Sequence, residues 1–195
     1  MRKKIYAFDF DGTLTTRDTL IAFIRYAKGT GGFALGFLRH AHLLVLMKLR
    51  LYPNWKAKQR VFSYFFGGMR LEDFDALCRQ FAEDNRHLLR PEGLKTISQA
   101  QAEGSEVVVV SASIDNWVKP FFSHLIVLGT QIETADGRLT GRFLTDNCYG
   151  QEKVNRLRAL YPNRSAYHLI AFGDSRGDKE LLAYADEAYY KPFRR

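Results

Sequence analysis

The stretch KIYAFDFDGT, residues 4–13, begins as a run of β-branched and aromatic residues and ends in acidic residues and glycine. This pattern predicts a buried strand over residues 4–10 that is followed by a loop. Three further apolar runs have the same character, at residues 105–110 (SEVVVV), 124–128 (HLIVL) and 166–172 (AYHLIAF). Their apolarity is continuous rather than alternating, as in strands covered on both faces, so the sequence predicts an α/β fold with a mainly parallel sheet.

The segments between the later strands carry the signals of two helices and a hairpin. Residues 91–103 have a proline at their start and Gly104 just past their end, which predicts a helix. Residues 151–160 form a second predicted helix, ended by Pro162. Residues 130–143 alternate in polarity about Asp136 and Gly137, which predicts a hairpin that projects from the sheet.

The long segment of residues 14–90 has helical character, with breaks at residues 29–32, at Pro53 and at Gly67-Gly68. It contains no run typical of a strand. An insertion of this size after the first strand predicts a helical cap over the carboxyl edge of the sheet, where open α/β sheets bind ligands. We therefore expect a core domain of residues 1–14 and 91–195 and a cap domain of residues 15–90.

Composition excludes several classes of protein. With 195 residues and 46% hydrophobic content, the chain can bury a sizeable core and is not disordered. Its two cysteines have no CxxC spacing, which favours reduced thiols over a disulfide framework or a zinc site. The basic start resembles that of a signal peptide, but Asp9 and Asp11 interrupt the apolar stretch that follows. We therefore expect a cytoplasmic protein.

Positive charge is concentrated in the predicted cap. The chain carries a net charge of +8, and residues 17–60 contain nine bases and a single acid, Asp18. Such a block favours anionic partners, namely phosphorylated substrates, acidic lipid surfaces or nucleic acid, although a solvated helical face would have the same composition. Residues 33–51 are the most apolar part of the block, but their charges exclude a membrane span. This segment could instead lie on the inner face of a membrane.

Two carboxylates follow the first predicted strand, at Asp9 and Asp11. Their spacing indicates a shared site, where their repulsion is costly unless a cation or a proton compensates it. Gly12 and Thr13 then offer backbone amides that can hold phosphate oxygens. The alternative is an acidic turn without a ligand, which is less common for DxDGT after an apolar run than for an isolated DG.

Further polar residues follow the other strands. Asp174 and Asp178 lie in GDSRGD after residues 166–172. Because the carboxyl ends of parallel strands share one edge, Asp174 can meet Asp9 and Asp11, in a site suited to Mg²⁺. Ser111, within Ser111-Ala112-Ser113, is placed at the end of the second strand and could bind a phosphate, or it could cap a helix. Lys153 begins a predicted helix and could be the cation that holds a phosphoryl group, or a solvent-facing charge.

These four segments, in this order, resemble the haloacid dehalogenase superfamily, and the helical insertion resembles its phosphoserine phosphatase-like branch. The resemblance covers the whole chain. It implies a Rossmann-like three-layer core with a helical cap, and a Mg²⁺-dependent phosphomonoester hydrolase that works through an aspartyl phosphate. Asp9 would be the nucleophile. Asp11 would protonate the leaving alcohol and later deprotonate the hydrolytic water.

The resemblance also implies the residues around these two. Mg²⁺ would be bound by the carboxylates of Asp9 and Asp174 and by the backbone carbonyl of Asp11. The phosphoryl oxygens would be held by Gly12, Thr13, Ser111, Ala112 and Lys153. Asp178 would orient the metal shell or Lys153.

Two features bear on the substrate. Phosphoserine phosphatases carry a glutamate shortly after the first motif that meets the substrate's ammonium group, whereas this chain has Asp18, which could equally cap a helix beginning at Thr19. The apolar and basic insertion is similar to that of bacterial phosphatidylglycerophosphate phosphatases, which implies a phospholipid monoester and contact with an anionic membrane. Alternatively, the apolar residues form the core of the cap or a dimer contact, and the substrate is phosphoserine or another small metabolite.

A different class of function is a nucleic-acid-binding module. Aromatic residues are interleaved with the basic block, as base stacking requires, at Tyr26, Phe33, Phe37, Tyr52 and Trp55. No recognised binding motif accompanies them, and this hypothesis leaves the carboxylates unexplained. The phosphatase hypothesis is therefore favoured.

Overall fold

The computed structural model of the protein describes residues 2–49 and 51–194. Its seven strands within those residues are β1 (Lys3–Phe8), β2 (Glu106–Ile114), β3 (Ile126–Thr130), β4 (Ile132–Ala135), β5 (Arg138–Phe143), β6 (Tyr167–Gly173) and β7 (Glu187–Tyr190). Five of them form one sheet in the order β3-β2-β1-β6-β7, and every pairing in it is parallel. The strands β4 and β5 form a separate antiparallel pair.

The helices of the same described residues are α1 (Thr19–Arg39), α2 (Ala41–Lys48), α3 (Asn54–Phe66), α4 (Leu71–Asp84), α5 (Pro91–Ala102), α6 (Asp115–Val118), α7 (Gln151–Leu160) and α8 (Lys179–Tyr184). The first four lie between β1 and β2. The predicted helix at residues 151–160 is confirmed with the same bounds, and the one predicted at residues 91–103 ends one residue earlier.

Helices cover both faces of the sheet, which confirms the predicted three-layer α/β fold. Side chains along β1 alternate between the faces: Ile5 and Ala7 pack with Leu157 of α7 and Leu181 of α8. Phe8 packs on the opposite face, in the cluster that includes the buried residues of α5 and of the inserted helices. Burial on both faces explains why the strands are continuously apolar in sequence.

Several strand bounds differ from the prediction, including those of β3, which spans Ile126–Thr130 rather than residues 124–128. The ends of β1 and β2 matter most, because both lie at the site. The strand β1 ends at Phe8 rather than Phe10, because a π-helical turn over Phe10–Leu14 begins there and Gly12 turns the chain with φ +82°. The strand β2 does not end at Ser111 but continues to Ile114, with a shift in its register to β3 after Val110. Polar residues ended the apolar run in the sequence, yet strand pairing continues because the Ser111 and Ser113 hydroxyls find partners inside the protein.

The hairpin is confirmed, and one strand was missed. Asp136 and Gly137 connect β4 to β5 with φ values of +50° and +72°, the conformation that a tight hairpin turn needs. No apolar run predicted β7, because its four residues are exposed. It pairs with β6 at the edge of the sheet.

The inserted segment is helical in its described residues, as predicted, and its helices break where glycine or proline interrupts them. Gly29 has φ +68° inside α1, Pro53 precedes α3, and Gly67 follows it. The insertion contacts the core through aromatic rings: Phe23 of α1 stacks on Trp117 of α6, with ring centroids 5.0 Å apart. Burying these large rings holds the inserted helices against the sheet.

Among the residues described, none of the helices has both the length and the apolar character that a membrane crossing requires. Cys78 and Cys148 are both buried and unpaired with each other.

The helices α1 and α3 meet at Gly36, which suggests a test of the packing inside the insertion. A Cβ atom at Gly36 would overlap the ring of Phe65, whereas one at Gly31 in the same helix would meet nothing within 4 Å. We expect Gly36→Ala to destabilise the protein by about 1–3 kcal/mol through overpacking. Gly31→Ala should stabilise it by about 0.5–1 kcal/mol, since alanine favours a helix. Denaturant unfolding of both variants measures the difference, and equal effects would contradict the contact.

Candidate active site

Neighbouring parallel strands bring two carboxylates together at one edge of the sheet. Phe8 pairs with Phe172 in the β1–β6 register, so Asp9 follows β1 beside the end of β6, where Asp174 follows Gly173. The Asp9 amide donates to the Phe172 carbonyl over 2.9 Å, which extends the strand pairing by one residue. The predicted meeting of Asp9 and Asp174 follows from this pairing.

The carboxylate of Asp9 is almost fully buried, with 5% of the residue exposed. Its Oδ1 accepts a hydrogen bond from Lys153 Nζ at 2.5 Å, and its Oδ2 has no partner among the described residues. Burial raises the pKa of Asp9 to about 7, against the lowering effect of Lys153. One oxygen is thus held in place, and the other is available to a ligand.

Lys153 lies in the first turn of α7 and is 1% exposed, so it is not the solvent-facing charge of the alternative interpretation. Its Nζ donates to Asp9 Oδ1 and, at 2.6 Å, to Asp178 Oδ1. Burial by itself favours the neutral amine, but the two carboxylates outweigh it and raise the pKa of Lys153. The side chain therefore stays protonated between two anions.

Asp178 ties this ion pair to the loop after β6. Its Oδ2 accepts hydrogen bonds from the amides of Asp174 and Ser175, at 3.1 and 2.9 Å, and from the Ser175 hydroxyl at 2.9 Å. Burial opposes its ionisation, but Lys153 and the Ser175 amide outweigh burial and lower the pKa of Asp178. Both oxygens are engaged, so Asp178 positions Lys153 and Asp174.

The donor set fits a divalent cation. Oxygens of Asp9, Asp174 and Asp178 lie within 4.8 Å of one another. Both oxygens of Asp178 are engaged, so the buried oxygens of these three carboxylates that have no partner among the described residues are Asp9 Oδ2 and Asp174 Oδ1. Two carboxylate oxygens at this spacing suit Mg²⁺, which prefers carboxylates and water. The neighbouring Gly12 keeps the approach open, since a Cβ there would lie 2.5 Å from Asp174 Oδ2.

Asp11 points away from this pair and into the base of the inserted segment. Its Oδ1 accepts from the Thr19 amide and hydroxyl at 2.7 and 2.6 Å, and its Oδ2 accepts from the Ser113 hydroxyl at 2.5 Å. Trp117 Nε1 donates to the Thr19 hydroxyl in turn. Burial, followed by the charge of Asp18, raises the pKa of Asp11 despite these hydrogen bonds.

Some predicted residues line the cavity at this edge, and others lie behind it. The cavity has a volume of about 330 Å³. The predicted residues on its wall are Asp9, Asp11, Gly12, Ala112, Lys153 and Asp174. Thr13 and Ser111 are buried and do not line it: the Thr13 hydroxyl has no partner among the described residues, and Ser111 Oγ accepts from the Ser113 amide at 3.0 Å. The Gly12 amide donates to Thr15 Oγ1 at 3.1 Å.

The family follows from comparison with known proteins. Residues 6–183 match the model of the haloacid dehalogenase-like hydrolase family. The chain belongs to this family. It is 35% identical to protein CicA of Caulobacter vibrioides, over 97% of this chain and 86% of that protein.

Solved structures share the fold of this hydrolase. A Bordetella pertussis Tohama I protein of unknown function superposes with a TM-score of 0.79 at 20% identity, over 94% of this chain and 87% of that one. A phosphoserine phosphatase determined as a phospho-aspartyl intermediate analogue superposes with a TM-score of 0.59 at 19% identity, over 95% of this chain and 84% of that one.

Asp18 of the hydrolase caps α1. Its Oδ1 accepts from the amides of Leu20 and Ile21, at 3.0 and 3.3 Å. The helix begins at Thr19, as the capping interpretation predicted. The same side chain lines the mouth of the catalytic cavity, together with Arg17 and Lys58.

Sequence reasoning missed Arg194, Thr19 and the role of Ser113. Arg194 Nη2 donates to Asp174 Oδ2, and its neighbour Phe193 is held by the ring of Phe172, at a centroid distance of 5.7 Å. No motif surrounds Arg194, so the sequence held no signal for it. Ser113 was detectable in principle, since it is the second hydroxyl of the Ser111-Ala112-Ser113 segment that the sequence already placed near the site.

The buried ion pairs can be tested by removing their cation. Lys153→Met leaves Asp9 and Asp178 buried without a counter-charge, and breaking such a pair costs about 3–5 kcal/mol. The matched control is Lys4→Met, because Lys4 faces Glu103 at 3.9 Å with about half of each side chain exposed. That change should cost less than about 1 kcal/mol. Denaturant unfolding measures both, and a Lys153→Met cost as small as the control's would contradict the pairing.

Proposed function

We propose that this hydrolase is a Mg²⁺-dependent phosphomonoester hydrolase that works through a phosphorylated Asp9. The main support is the environment of the Asp9 carboxylate, which lines the cavity. Its Oδ1 is held by Lys153, and its buried Oδ2 has no partner among the described residues. A carboxylate fixed by one oxygen presents the other in a defined direction, which favours nucleophilic attack. The solved phospho-aspartyl analogue of a phosphatase with the same fold supports this chemistry.

In the first half-reaction, an Asp9 oxygen forms a bond to phosphorus while the bond from phosphorus to the alcohol oxygen breaks. Asp11 donates its proton to that alcohol, and the raised pKa of Asp11 favours the protonated form this step needs. In the second half-reaction, Asp11 takes a proton from water as the water oxygen attacks the phosphorus. Phosphate leaves, and the Asp9 carboxylate is restored.

The surrounding residues bind and orient the phosphoryl group. Lys153 favours the ionised form of Asp9 and holds its carboxylate in place. Thr13 has a buried hydroxyl without a described partner that can turn toward a phosphate oxygen. The other proposed ligands of the phosphoryl oxygens are Gly12, Ser111 and Ala112. The Gly12 amide would donate its hydrogen bond to the substrate instead of to Thr15 Oγ1. Mg²⁺ bound by Asp9, Asp174 and the Asp11 carbonyl would offset the repulsion between the nucleophile and a dianionic phosphate.

The roles proposed for Asp9 and Asp11 can be distinguished by comparing substrates whose leaving groups differ in their need for a proton. Asp9→Asn should reduce phosphate release to background with every substrate, because an amide does not attack phosphorus. Asp11→Asn should slow an alkyl phosphate by about 10²–10⁴-fold. It should slow the first-turnover release of p-nitrophenolate from p-nitrophenyl phosphate less, because p-nitrophenolate leaves without a proton, whereas the later attack of water still needs Asp11. Phosphate release with Mg²⁺ and with a chelator measures these effects.

The matched control is Asp136→Asn, since Asp136 lies in the hairpin turn at φ +50°, which asparagine tolerates. Activity of Asp9→Asn equal to that of Asp136→Asn, or activity that survives removal of divalent ions, would refute the proposed mechanism.

For the substrate, we propose a phospholipid monoester such as phosphatidylglycerophosphate, taken from an anionic membrane surface. Asp18, which stands where phosphoserine phosphatases carry their glutamate, is shorter than a glutamate and uses its Oδ1 to cap α1. Residues 15–90, which we propose as the cap domain, carry an exposed apolar surface that we name the cap tip. It consists of Leu35, Leu38, Val45, Leu46, Leu49 and Leu51, which are between 37% and 75% exposed.

Bases lie beside the cap tip. Arg39, His40, His42 and Arg60 line a depression of about 480 Å³ together with Leu43 and Tyr52, and none of its lining residues is acidic. An apolar patch flanked by cations matches an anionic bilayer, whose acyl chains and headgroups interact with the two parts. We therefore place the cap tip at the membrane.

The proposed membrane contact predicts that changes at the cap tip weaken binding to anionic vesicles. Leu38→Glu combined with Leu49→Glu should weaken binding to vesicles that contain phosphatidylglycerol by at least about tenfold. Each change removes a leucine that would be buried in the bilayer and adds a negative charge that the anionic lipids repel. The control is Leu94→Glu with Leu144→Glu, at exposed leucines outside the cap tip. Vesicle sedimentation measures binding. Equal binding by the two double variants, or a wild-type dimer that the cap-tip changes dissociate, would overturn the proposal.

A further inference from the structure

The inserted helices enclose a second cavity, of about 250 Å³, next to the catalytic one. We name it the side pocket. Its apolar walls come from both halves of α1, from α2 and from α3, and consist of Leu20, Ile21, Phe37, Met47, Ala57 and Val61. Ala57 and Val61 are buried, and Ile21 is 45% exposed at the rim.

Two side chains join the side pocket to the catalytic cavity, because Asp18 and Lys58 line both. Asp18 is engaged by the amides of Leu20 and Ile21. Lys58 is half-buried and has no hydrogen bond or ion pair with any described residue. A half-buried cation between a phosphate site and an apolar pocket is complementary to an anionic ligand that extends into both.

We infer that the side pocket binds the apolar part of the substrate while its phosphate lies at Asp9. The inference rests on the proposed function and adds the place where the alkyl chain of such an amphiphilic phosphomonoester binds. A cavity of about 150 Å³ binds benzene, so the side pocket has room for roughly eight to ten carbon atoms. Lys58 contacts the polar linkage between the chain and the reacting phosphate.

The side pocket also adjoins the cap tip. Phe37 and Met47 line the pocket, while their sequence neighbours Leu38 and Leu46 are exposed at the cap tip. Apolar side chains therefore lead from the exposed surface, past the pocket walls, to the mouth of the catalytic cavity. This is the arrangement that a chain drawn from a lipid surface needs.

The test is a series of linear alkyl phosphates from ethyl to decyl, used below their micelle-forming concentrations. Transfer of each methylene from water into an apolar pocket should improve both kcat/KM and Kd by about fourfold, until the pocket is filled. Ile21→Glu should abolish this dependence on chain length, because it places a charge at the rim. Ile21→Leu should retain it, and the control Leu94→Glu, at a residue of α5 with 38% exposed, should leave it unchanged.

Calorimetry of alkyl phosphate binding, compared with hydrolysis, tests the side pocket and the proposed phosphatase activity separately. Hydrolysis of all alkyl phosphates with equal kcat/KM and Kd overturns the side pocket and leaves the phosphatase intact. Chain-length-dependent binding without Mg²⁺-dependent hydrolysis supports the side pocket and overturns the phosphatase. Retention of the chain-length dependence by Ile21→Glu overturns the side pocket in either case.

Discussion

The site depends on one buried cation, Lys153, held between Asp9 and Asp178. An ammonium group that is 1% exposed is stable only when it is paired, and here both partners come from loops that follow parallel strands. Asp178 also fixes the backbone after β6, because its second oxygen accepts hydrogen bonds from the amides of Asp174 and Ser175. The position of Asp9, the proposed nucleophile, and that of Asp174 are thus fixed by the same network.

The inserted helices act on this network from the opposite side. Thr19, the first residue of α1, binds Asp11 through its amide and its hydroxyl, and Trp117 of α6 binds the Thr19 hydroxyl. Phe23, one helical turn further on, stacks on Trp117. The orientation of the proposed acid is therefore coupled to the packing of the insertion on the core, and a shift of α1 would move the Asp11 carboxylate with it.

The sequence predicted those parts of the molecule that rest on strong local patterns. Continuous apolar runs predicted the inner strands. The carboxylates after β1 and β6 predicted the site, because the carboxyl ends of these parallel strands lie at one edge of the sheet. It gave no indication of β7, whose residues are exposed, or of Arg194, whose contact with Asp174 depends on the path of the chain after the sheet. It placed Ser111 at a strand end, although Ser113 is the residue whose hydroxyl reaches Asp11, since side-chain direction depends on where a strand continues.

Charge balance at this edge of the sheet supports the proposed divalent cation. Asp9, Asp11, Asp174 and Asp178 converge there, and the cations that pair with them among the described residues are Lys153 and Arg194. Burial raises the pKa of Asp9, Asp11 and Asp174, so each resists ionisation while this imbalance lasts. A divalent ion bound there would remove the resistance at Asp9 and Asp174, whereas Asp11, whose side chain points to Thr19, would keep it. The same imbalance would thus favour an ionised Asp9 beside a protonated Asp11, which is the pair that the first half-reaction of the proposed mechanism requires.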